Sequence, residues 1–272
     1  MSDQVGREEI GMSSLTESNA AAASKKAEVS EEQSVVSRNG QVHFKSDPMY
    51  PLALDHSSVA AAEYFGVMRA RLVSAHTKSG IRSVLITSPE KEEGKSLICT
   101  NLAISFGRLG RYRVLLVDGD MRVRGVSRLM GMESTPGLAD YLQGKLSFED
   151  SIHATDFPAI SVVSAGDPPE ENLPTLLEGP QWGTFLEQAK QNFDLVIVDS
   201  VPVSAPLADF EMMSALCDGV LLVVHLRKTT REALAVTTQR MSRKLMGLVL
   251  NNTEQPQRFD YYSYYYSGRK SR

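Results

Sequence analysis

Short apolar runs alternate with longer helical segments along the chain, and this alternation constrains the fold more than any other feature. Six runs are rich in Val, Leu and Ile, at positions 83–87, 113–117, 160–163, 195–198, 219–224 and 247–250. Helical patterns lie between them, at 96–109, 138–143, 182–192, 208–216 and 231–245. Runs without a polar face are typical of strands buried on both sides. The alternation therefore predicts an α/β fold of three layers, with a mostly parallel central sheet.

Composition divides the 272 residues into three parts. Residues 1–47 are rich in Ser, Ala, Glu and Lys and poor in aromatic residues, so we predict a disordered N-terminal arm. Residues 48–255 carry the periodic pattern and form the predicted domain, which begins with an amphipathic helix at 57–76. Residues 256–272 form a predicted flexible tail that is rich in tyrosine.

Charge and hydropathy exclude several classes of protein. The formal net charge is −4, so no global basic field would attract nucleic acid. No apolar run approaches the roughly 20 residues of a membrane-spanning helix, and we expect no secretion signal at the N-terminus. Cys99 and Cys217 lie in apolar stretches and are interpreted as small packed side chains.

A phosphate-binding loop is predicted where residues 88–96 read SPEKEEGKS, between the first apolar run and a helix. Backbone N–H groups at such a turn face phosphate oxygens, and Gly94 allows their close approach. Lys95 would supply a positive charge to the β- and γ-phosphates, and the Ser96 hydroxyl could ligate Mg²⁺. The usual first glycine is replaced by Pro89. The candidate nucleotide-binding residues are Glu93, Gly94, Lys95, Ser96 and Leu97.

Carboxylates follow two other predicted strands. Residues 114–122 read VLLVDGDMR, with Asp118 and Asp120, and residues 195–202 read LVIVDSVP, with Asp199. The carboxyl ends of parallel strands meet at one ligand crevice, where carboxylates can hold Mg²⁺ directly or through water. Ser96, Asp118, Asp120 and Asp199 are therefore candidate metal ligands or catalytic residues, together with Lys95, and the pattern itself does not divide these roles among the carboxylates.

The C-terminal sequence FDYYSYYYSGRKSR holds five of the nine tyrosines of the chain within six positions. No apolar alternation supports a buried strand there. A carboxylate beside a metal can remove a proton from a hydroxyl nucleophile, so these phenols are candidate acceptors of a phosphoryl group. They are Tyr261, Tyr262, Tyr264, Tyr265 and Tyr266.

Together these motifs resemble the bacterial tyrosine kinases (BY-kinases) of capsule and exopolysaccharide synthesis, in their stand-alone form. The resemblance covers roughly residues 59–272 and includes the loop as Walker A, VLLVDGDMR as the family's extra Walker A′, and LVIVDSVPV as Walker B. It implies a SIMIBI-like P-loop NTPase fold that uses ATP and Mg²⁺. It also implies that Asp118 accepts the tyrosine proton, that Asp120 and Asp199 support the metal, and that Asn251 contacts adenine.

The same resemblance implies partners and a location. The family's tail tyrosines are phosphorylated by a neighbouring subunit in a homo-oligomeric ring, which repulsion between the added charges would open. A membrane chain-length regulator, or polysaccharide co-polymerase, would be the activator, and a phosphotyrosine phosphatase would reverse the modification. The protein would then be cytoplasmic, held at the inner face of the plasma membrane through its partner, where it regulates polysaccharide polymerisation and export.

Two departures from the family pattern leave alternatives open. Lys91 and Glu92 replace the usual Pro-Gly, so the acidic loop is expected to weaken ATP binding unless its carboxylates point away. The ring motif Glu–Arg–Arg reads Glu63, Gly66 and Arg69, which puts the ring interface in question. One alternative is a weakly active or inactive nucleotide-binding scaffold of the export machinery. Another is a ParA/MinD-like ATPase, although that class carries a lysine where Glu90 stands.

Overall fold

The computed structural model describes residues 42–44, 59–168, 173–205, 208–241 and 243–252. The helices are α1 (Val59–Ser79), α2 (Lys95–Leu109), α3 (Gly125–Leu129), α4 (Leu138–Leu142), α5 (Leu173–Glu178), α6 (Pro180–Asn192), α7 (Asp209–Leu216) and α8 (Arg231–Arg240), with a 3-10 turn at Glu149–Ser151. The strands are β1 (Ser83–Thr87), β2 (Val114–Asp118), β3 (His153–Ala154), β4 (Ile160–Val163), β5 (Leu195–Asp199), β6 (Gly219–His225) and β7 (Leu245–Asn251).

Seven strands form one sheet in the order β3-β4-β2-β5-β1-β6-β7. All neighbouring pairs are parallel except the short edge strand β3, which runs antiparallel to β4. Every residue of β1, β2 and β5 is buried, as expected of strands covered on both faces. The predicted α/β architecture with a mostly parallel sheet is therefore confirmed.

Two hydrophobic cores lie on opposite faces of the sheet. Alternate residues of β2 supply them: Leu115 and Val117 belong to one core, and Val114 and Leu116 to the other. The first core also holds buried side chains of α4, α6 and α7, and the second those of α1 and α2. These helices make the outer layers, and α2 starts at the carboxyl end of the sheet, where the predicted site lies.

The structure differs from the predicted elements at the end of α8. The predicted helix 231–245 stops at Arg240, and β7 begins at Leu245. A turn separates them because the N–H groups of Lys244 and Leu245 both donate to the carbonyl of Met241. The Lys244 ammonium then donates to the carbonyl of Cys217, 2.9 Å away, which fixes the turn to the preceding element. The sequence pattern also missed the two-residue strand β3 and the short helices α3 and α5, which are too short to show a period.

Residues 42–44 pack against the domain, so the prediction that the whole segment 1–47 is a disordered arm is wrong for these three residues. Val42 is 1% exposed and Phe44 is 7% exposed. The Val42 N–H donates to the carbonyl of Ala154 in β3 at 2.8 Å, and the Phe44 ring meets Phe157 edge to face at 5.5 Å. The alternation of Val42 and Phe44 about one polar residue suits the edge position that they cover.

Helix α1 spans Val59–Ser79 and overlaps the helix predicted at 57–76, whose first two residues lie outside the described residues. The described helices include none that is both long and apolar enough to cross a bilayer. The remainder of the predicted arm and the whole tyrosine-rich tail lie outside the described residues. Their assignment, and the outer limits of the domain at 48 and 255, stay predictions.

Replacing Phe44 with alanine should lower the free energy of unfolding by about 3 kcal/mol, since a buried aromatic ring leaves a cavity. Urea denaturation followed by far-UV circular dichroism measures the change. Val67→Ala is the control, because Val67 is exposed on α1, and its effect should stay within about 0.5 kcal/mol. Equal, small effects for both variants would contradict the packed position of Phe44.

Candidate active site

The predicted phosphate-binding loop leaves β1 and turns into α2 at Gly94, which has a left-handed backbone with φ of 92°. A side chain at this position would also overlap the amide of Asn251. The loop is tied to the segment after β5, because Val203 N–H donates to the Ser88 carbonyl at 2.8 Å and Ser204 N–H to the Pro89 carbonyl at 3.1 Å. Since the first N–H groups of a helix have no acceptor within it, the start of α2 can bind an anion.

Ser96 meets the Walker B carboxylate directly. Its hydroxyl donates to Asp199 Oδ2 at 2.5 Å. Lys95, the preceding residue, is buried and acts electrostatically on Asp199. Lys95 and Ser96 begin α2 and Asp199 ends β5, so the three side chains come from one helix start and one strand end.

Asp118 and Asp199 are paired residues on neighbouring strands, at the carboxyl ends of β2 and β5. Both are fully buried. Asp118 Oδ2 accepts from the N–H and the hydroxyl of Ser127, each at 2.7 Å. Asp118 Oδ1 has no hydrogen-bond partner in the part of the chain that the structure describes. A buried carboxylate oxygen without a donor requires neutralisation by a proton or a cation.

The pKa values of both carboxyls reflect this burial. Burial, followed by the charge of Asp199, raises the pKa of Asp118 to about 8. Burial also raises the pKa of Asp199 to about 7, although Lys95 and the Ser96 hydroxyl oppose the rise. The pair therefore favours one proton, or a cation, over two bare negative charges.

Asp120 lies just beyond Asp118, is buried, and accepts from the Val123 N–H at 3.1 Å. Two residues further along the chain, Arg122 forms a salt bridge with the buried carboxylate of Asp209, whose Oδ2 lies 3.1 Å from Arg122 Nε. These contacts fix the Walker A′ segment at Asp120 and at Arg122, just after it. This places all three predicted carboxylates at one edge of the sheet.

The donor set fits Mg²⁺. Among residues 42–44, 59–168, 173–205, 208–241 and 243–252, no three His, Cys, Asp or Glu side chains form a metal-binding group of their own. Mg²⁺ prefers a different arrangement, with one or two protein oxygens, several waters and the phosphates of a nucleotide. Ser96 and Asp199 are adjacent oxygen donors, and Asp118 Oδ1, which has no partner among the described residues, is on the residue paired with Asp199.

The remaining residues predicted to bind the nucleotide are Glu93, Leu97 and Asn251. The buried Glu93 side chain accepts from the Thr229 hydroxyl and from the Glu90 N–H. Leu97 is half-buried against the second core. Asn251 at the end of β7 donates from Nδ2 to the Glu93 carbonyl at 2.8 Å, so its amide nitrogen supports the loop, and its predicted contact with adenine stays a prediction.

Sequence reasoning missed two side chains of the site. Ser127 binds Asp118, and nothing in the sequence marks it apart from its closeness to the Walker A′ motif. Cys99 lies one helical turn after Ser96, and its sulfur is 3.6 Å from Asp199 Oδ1. The three-residue spacing from Ser96 could have placed Cys99 on the same helix face.

A phosphate-binding turn that faces buried carboxylates at the ends of neighbouring parallel strands defines a P-loop nucleotide-binding protein.

Comparison with known proteins identifies the family within this class. No family model matches the chain. It is 30% identical over 213 residues to the tyrosine-protein kinase YwqD of Bacillus subtilis, across 77% of this chain and 89% of that protein. It is also 30% identical over 197 residues to the tyrosine-protein kinase CpsD of Streptococcus agalactiae, across 71% and 84%. The chain belongs to the family of bacterial tyrosine-protein kinases.

One relative is much longer. The tyrosine-protein kinase Ptk of Acinetobacter johnsonii is 32% identical over 206 residues, which are 75% of this chain and 28% of that protein. Among solved structures, the kinase domain of the Escherichia coli tyrosine kinase ETK aligns with a TM-score of 0.64 and 25% identity, over 72% of this chain and 78% of that one. The chimerical protein CapA2B2 shares the fold with a TM-score of 0.70 at 24% identity, over 79% and 94%.

Gly125→Ala tests the close packing around Ser96, since a β-carbon at Gly125 would overlap the Ser96 hydroxyl. We expect binding of MgADP to weaken about tenfold, because overpacking displaces the hydroxyl from Asp199. Isothermal titration calorimetry measures the affinity.

Gly183→Ala is the matched control, because a β-carbon there makes only an ordinary contact with Leu216. It should bind MgADP as the parent does. A Gly125→Ala variant with unchanged affinity would show that the Ser96 position is not part of the nucleotide site.

Proposed function

We propose that the protein is an ATP-dependent tyrosine autokinase that phosphorylates its own C-terminal tyrosines between subunits. The observation that carries this proposal is the meeting of Lys95, Ser96, Asp118, Asp120 and Asp199 at one end of the sheet, beside a helix start. Phosphoryl transfer needs positioning and neutralisation of charge more than covalent chemistry, and this arrangement supplies both.

Each side chain has a distinct proposed role. Lys95 and the N–H groups at the start of α2 hold the β- and γ-phosphates. Ser96, Asp120 and Asp199 would hold Mg²⁺, which neutralises phosphate charge when bound. Asp118 is the proposed acceptor of the tyrosine proton: Ser127 occupies Oδ2 and Oδ1 has no partner among the described residues, so Oδ1 is the oxygen available to a proton.

The proposed acceptors are Tyr261, Tyr262, Tyr264, Tyr265 and Tyr266 of a second copy in a ring. Glu63 is exposed on α1 and is available to a neighbouring subunit, whereas Arg69 is turned inward and bonds Ser105 Oγ of α2 at 2.7 Å. We therefore expect the ring contact to use the exposed face of α1 rather than Arg69. Phosphates on several tail tyrosines would repel one another and open the ring.

We further propose the cellular setting that the family suggests. A membrane chain-length regulator would activate the kinase and hold it at the inner face of the plasma membrane, and a phosphotyrosine phosphatase would reset it. Cycling between the two states would regulate capsule or exopolysaccharide polymerisation and export. The name of one structural neighbour, the chimerical protein CapA2B2, is compatible with a two-component arrangement of this kind.

Lys95→Met should abolish tail phosphorylation, because the phosphates lose their cation. The purified protein is incubated with MgATP and probed with an anti-phosphotyrosine antibody. Lys145→Met is the matched control, since Lys145 is exposed away from the carboxylates, and its signal should equal that of the parent. A parent that binds MgADP but gives no signal, even with a candidate activator segment added, would favour a scaffold.

Transfer between subunits is tested by mixing two defective proteins. One ends at Gln257 and keeps the site, and the other carries Lys95→Met and keeps the tail. We expect neither to be labelled alone and the Lys95→Met chain to be labelled in the mixture. Labelling of the parent without labelling of the mixture would contradict transfer between subunits.

A further inference from the structure

The phosphate-binding loop carries three glutamates close to where a polyphosphate would bind, and each is bound by a neighbouring element. Glu90 Oε2 accepts from the Ser204 hydroxyl at 2.9 Å. Glu92 is exposed and lies 3.4 Å from the Lys228 ammonium. Glu93, next to Gly94, is fully buried, so of the three carboxylates it most needs hydrogen-bond donors to offset the cost of its desolvation.

Two groups satisfy the Glu93 carboxylate. The Thr229 hydroxyl donates to Oε1 at 2.5 Å, and the Glu90 N–H donates to Oε2 at 3.2 Å. The Thr229 hydroxyl also accepts from the His225 N–H at 3.0 Å. Because that N–H can only donate, the hydroxyl proton is directed at Glu93.

The segment between β6 and α8, residues 226–230, therefore fastens the loop at two points. Beside the Thr229 contact, the Lys228 ammonium donates to the Lys91 carbonyl at 2.6 Å. Lys91 precedes Glu92, which has a left-handed backbone with φ of 59° that is uncommon for a side-chain-bearing residue. The fastening supports an unusual turn as well as a buried charge.

We propose that Thr229 is a positioning residue of the phosphate-binding loop, which acts by holding the Glu93 carboxylate away from the nucleotide phosphates. Thr229 itself touches no phosphate in this scheme. Without its hydroxyl, the Glu93 carboxylate either stays buried with one donor fewer or rotates toward the phosphates and repels them. Both outcomes weaken nucleotide binding more than the transfer step. The inference rests on the proposed nucleotide site.

Thr229→Val removes the hydroxyl at nearly constant shape. We expect MgADP affinity to fall about tenfold and KM for ATP to rise to match, with kcat within about threefold of the parent. Calorimetry and steady-state kinetics on the full chain measure these values. Thr229→Ser should restore most of the affinity, because it keeps the donor.

A double-mutant cycle separates this role from a merely structural one. In the Glu93→Gln background, which removes the charge, Thr229→Val should cost less than threefold in affinity. Thr238→Val is the matched control, since within the described part of the chain that hydroxyl bonds only carbonyls of α8. If Thr229→Val fails to fold, Glu93→Asp is the second variant. Its shorter side chain moves the carboxylate away from the Thr229 hydroxyl, while the bond between Thr229 and the His225 N–H is kept. It should cause the same loss of MgADP affinity.

Two results would overturn the inference. One is unchanged affinity in Thr229→Val or Glu93→Asp. The other is a Thr229→Val loss that persists in full when Glu93 is Gln, which would assign Thr229 to folding of the segment alone. A parent that binds no MgADP would overturn the proposed nucleotide site itself, and is recognised before any variant is compared.

Discussion

The register between β2 and β5 sets Asp118 and Asp199 side by side in a fully buried position, and the rest of the site depends on that constraint. Two bare carboxylates so placed would cost several kcal/mol in desolvation and repulsion. Three neighbouring groups reduce this cost: Lys95 and Ser96 act on Asp199, and Ser127 donates to one oxygen of Asp118. The pair still lacks positive charge, and the Mg²⁺ of a bound nucleotide would supply it.

Carboxylates also lie in the phosphate-binding loop, where their negative charge is unfavourable for ligand binding. Carboxylates attract a cation at the strand ends, but in the loop they would repel the phosphates. Each loop glutamate instead has a partner in a neighbouring segment: Ser204 for Glu90, Lys228 for Glu92 and Thr229 for the buried Glu93. An acidic loop is compatible with phosphate binding where such partners hold its carboxylates.

Strand-end chemistry could be predicted from the sequence, because parallel strands bring their carboxyl ends to one edge whatever the loops do. Lys95, Ser96, Asp118, Asp120 and Asp199 meet there for that reason. Side-chain direction within loops could not be predicted in the same way. The choice of Thr229 as the partner of Glu93, and of Ser127 as the partner of Asp118, depends on contacts across more than one element. The packing of Val42 and Phe44 was missed because a two-residue alternation is too short to separate from a polar arm.

Helix α1 keeps two of the three residues of the Glu–Arg–Arg ring motif, Glu63 and Arg69, and Arg69 makes a contact within its own domain. Its Leu72 is buried in the second core, and Arg69 bonds Ser105 of α2, so two positions secure the helix to its own domain. Gly66, one turn before Arg69, is not required for this contact, since a β-carbon there would meet the guanidinium at an ordinary distance of 3.9 Å. The opposite face exposes Val67, an apolar side chain in water. An interface built on this face would combine the apolar Val67 with the charged Glu63 and would be modest, so assembly would depend on concentration and on the partner that gathers the copies together.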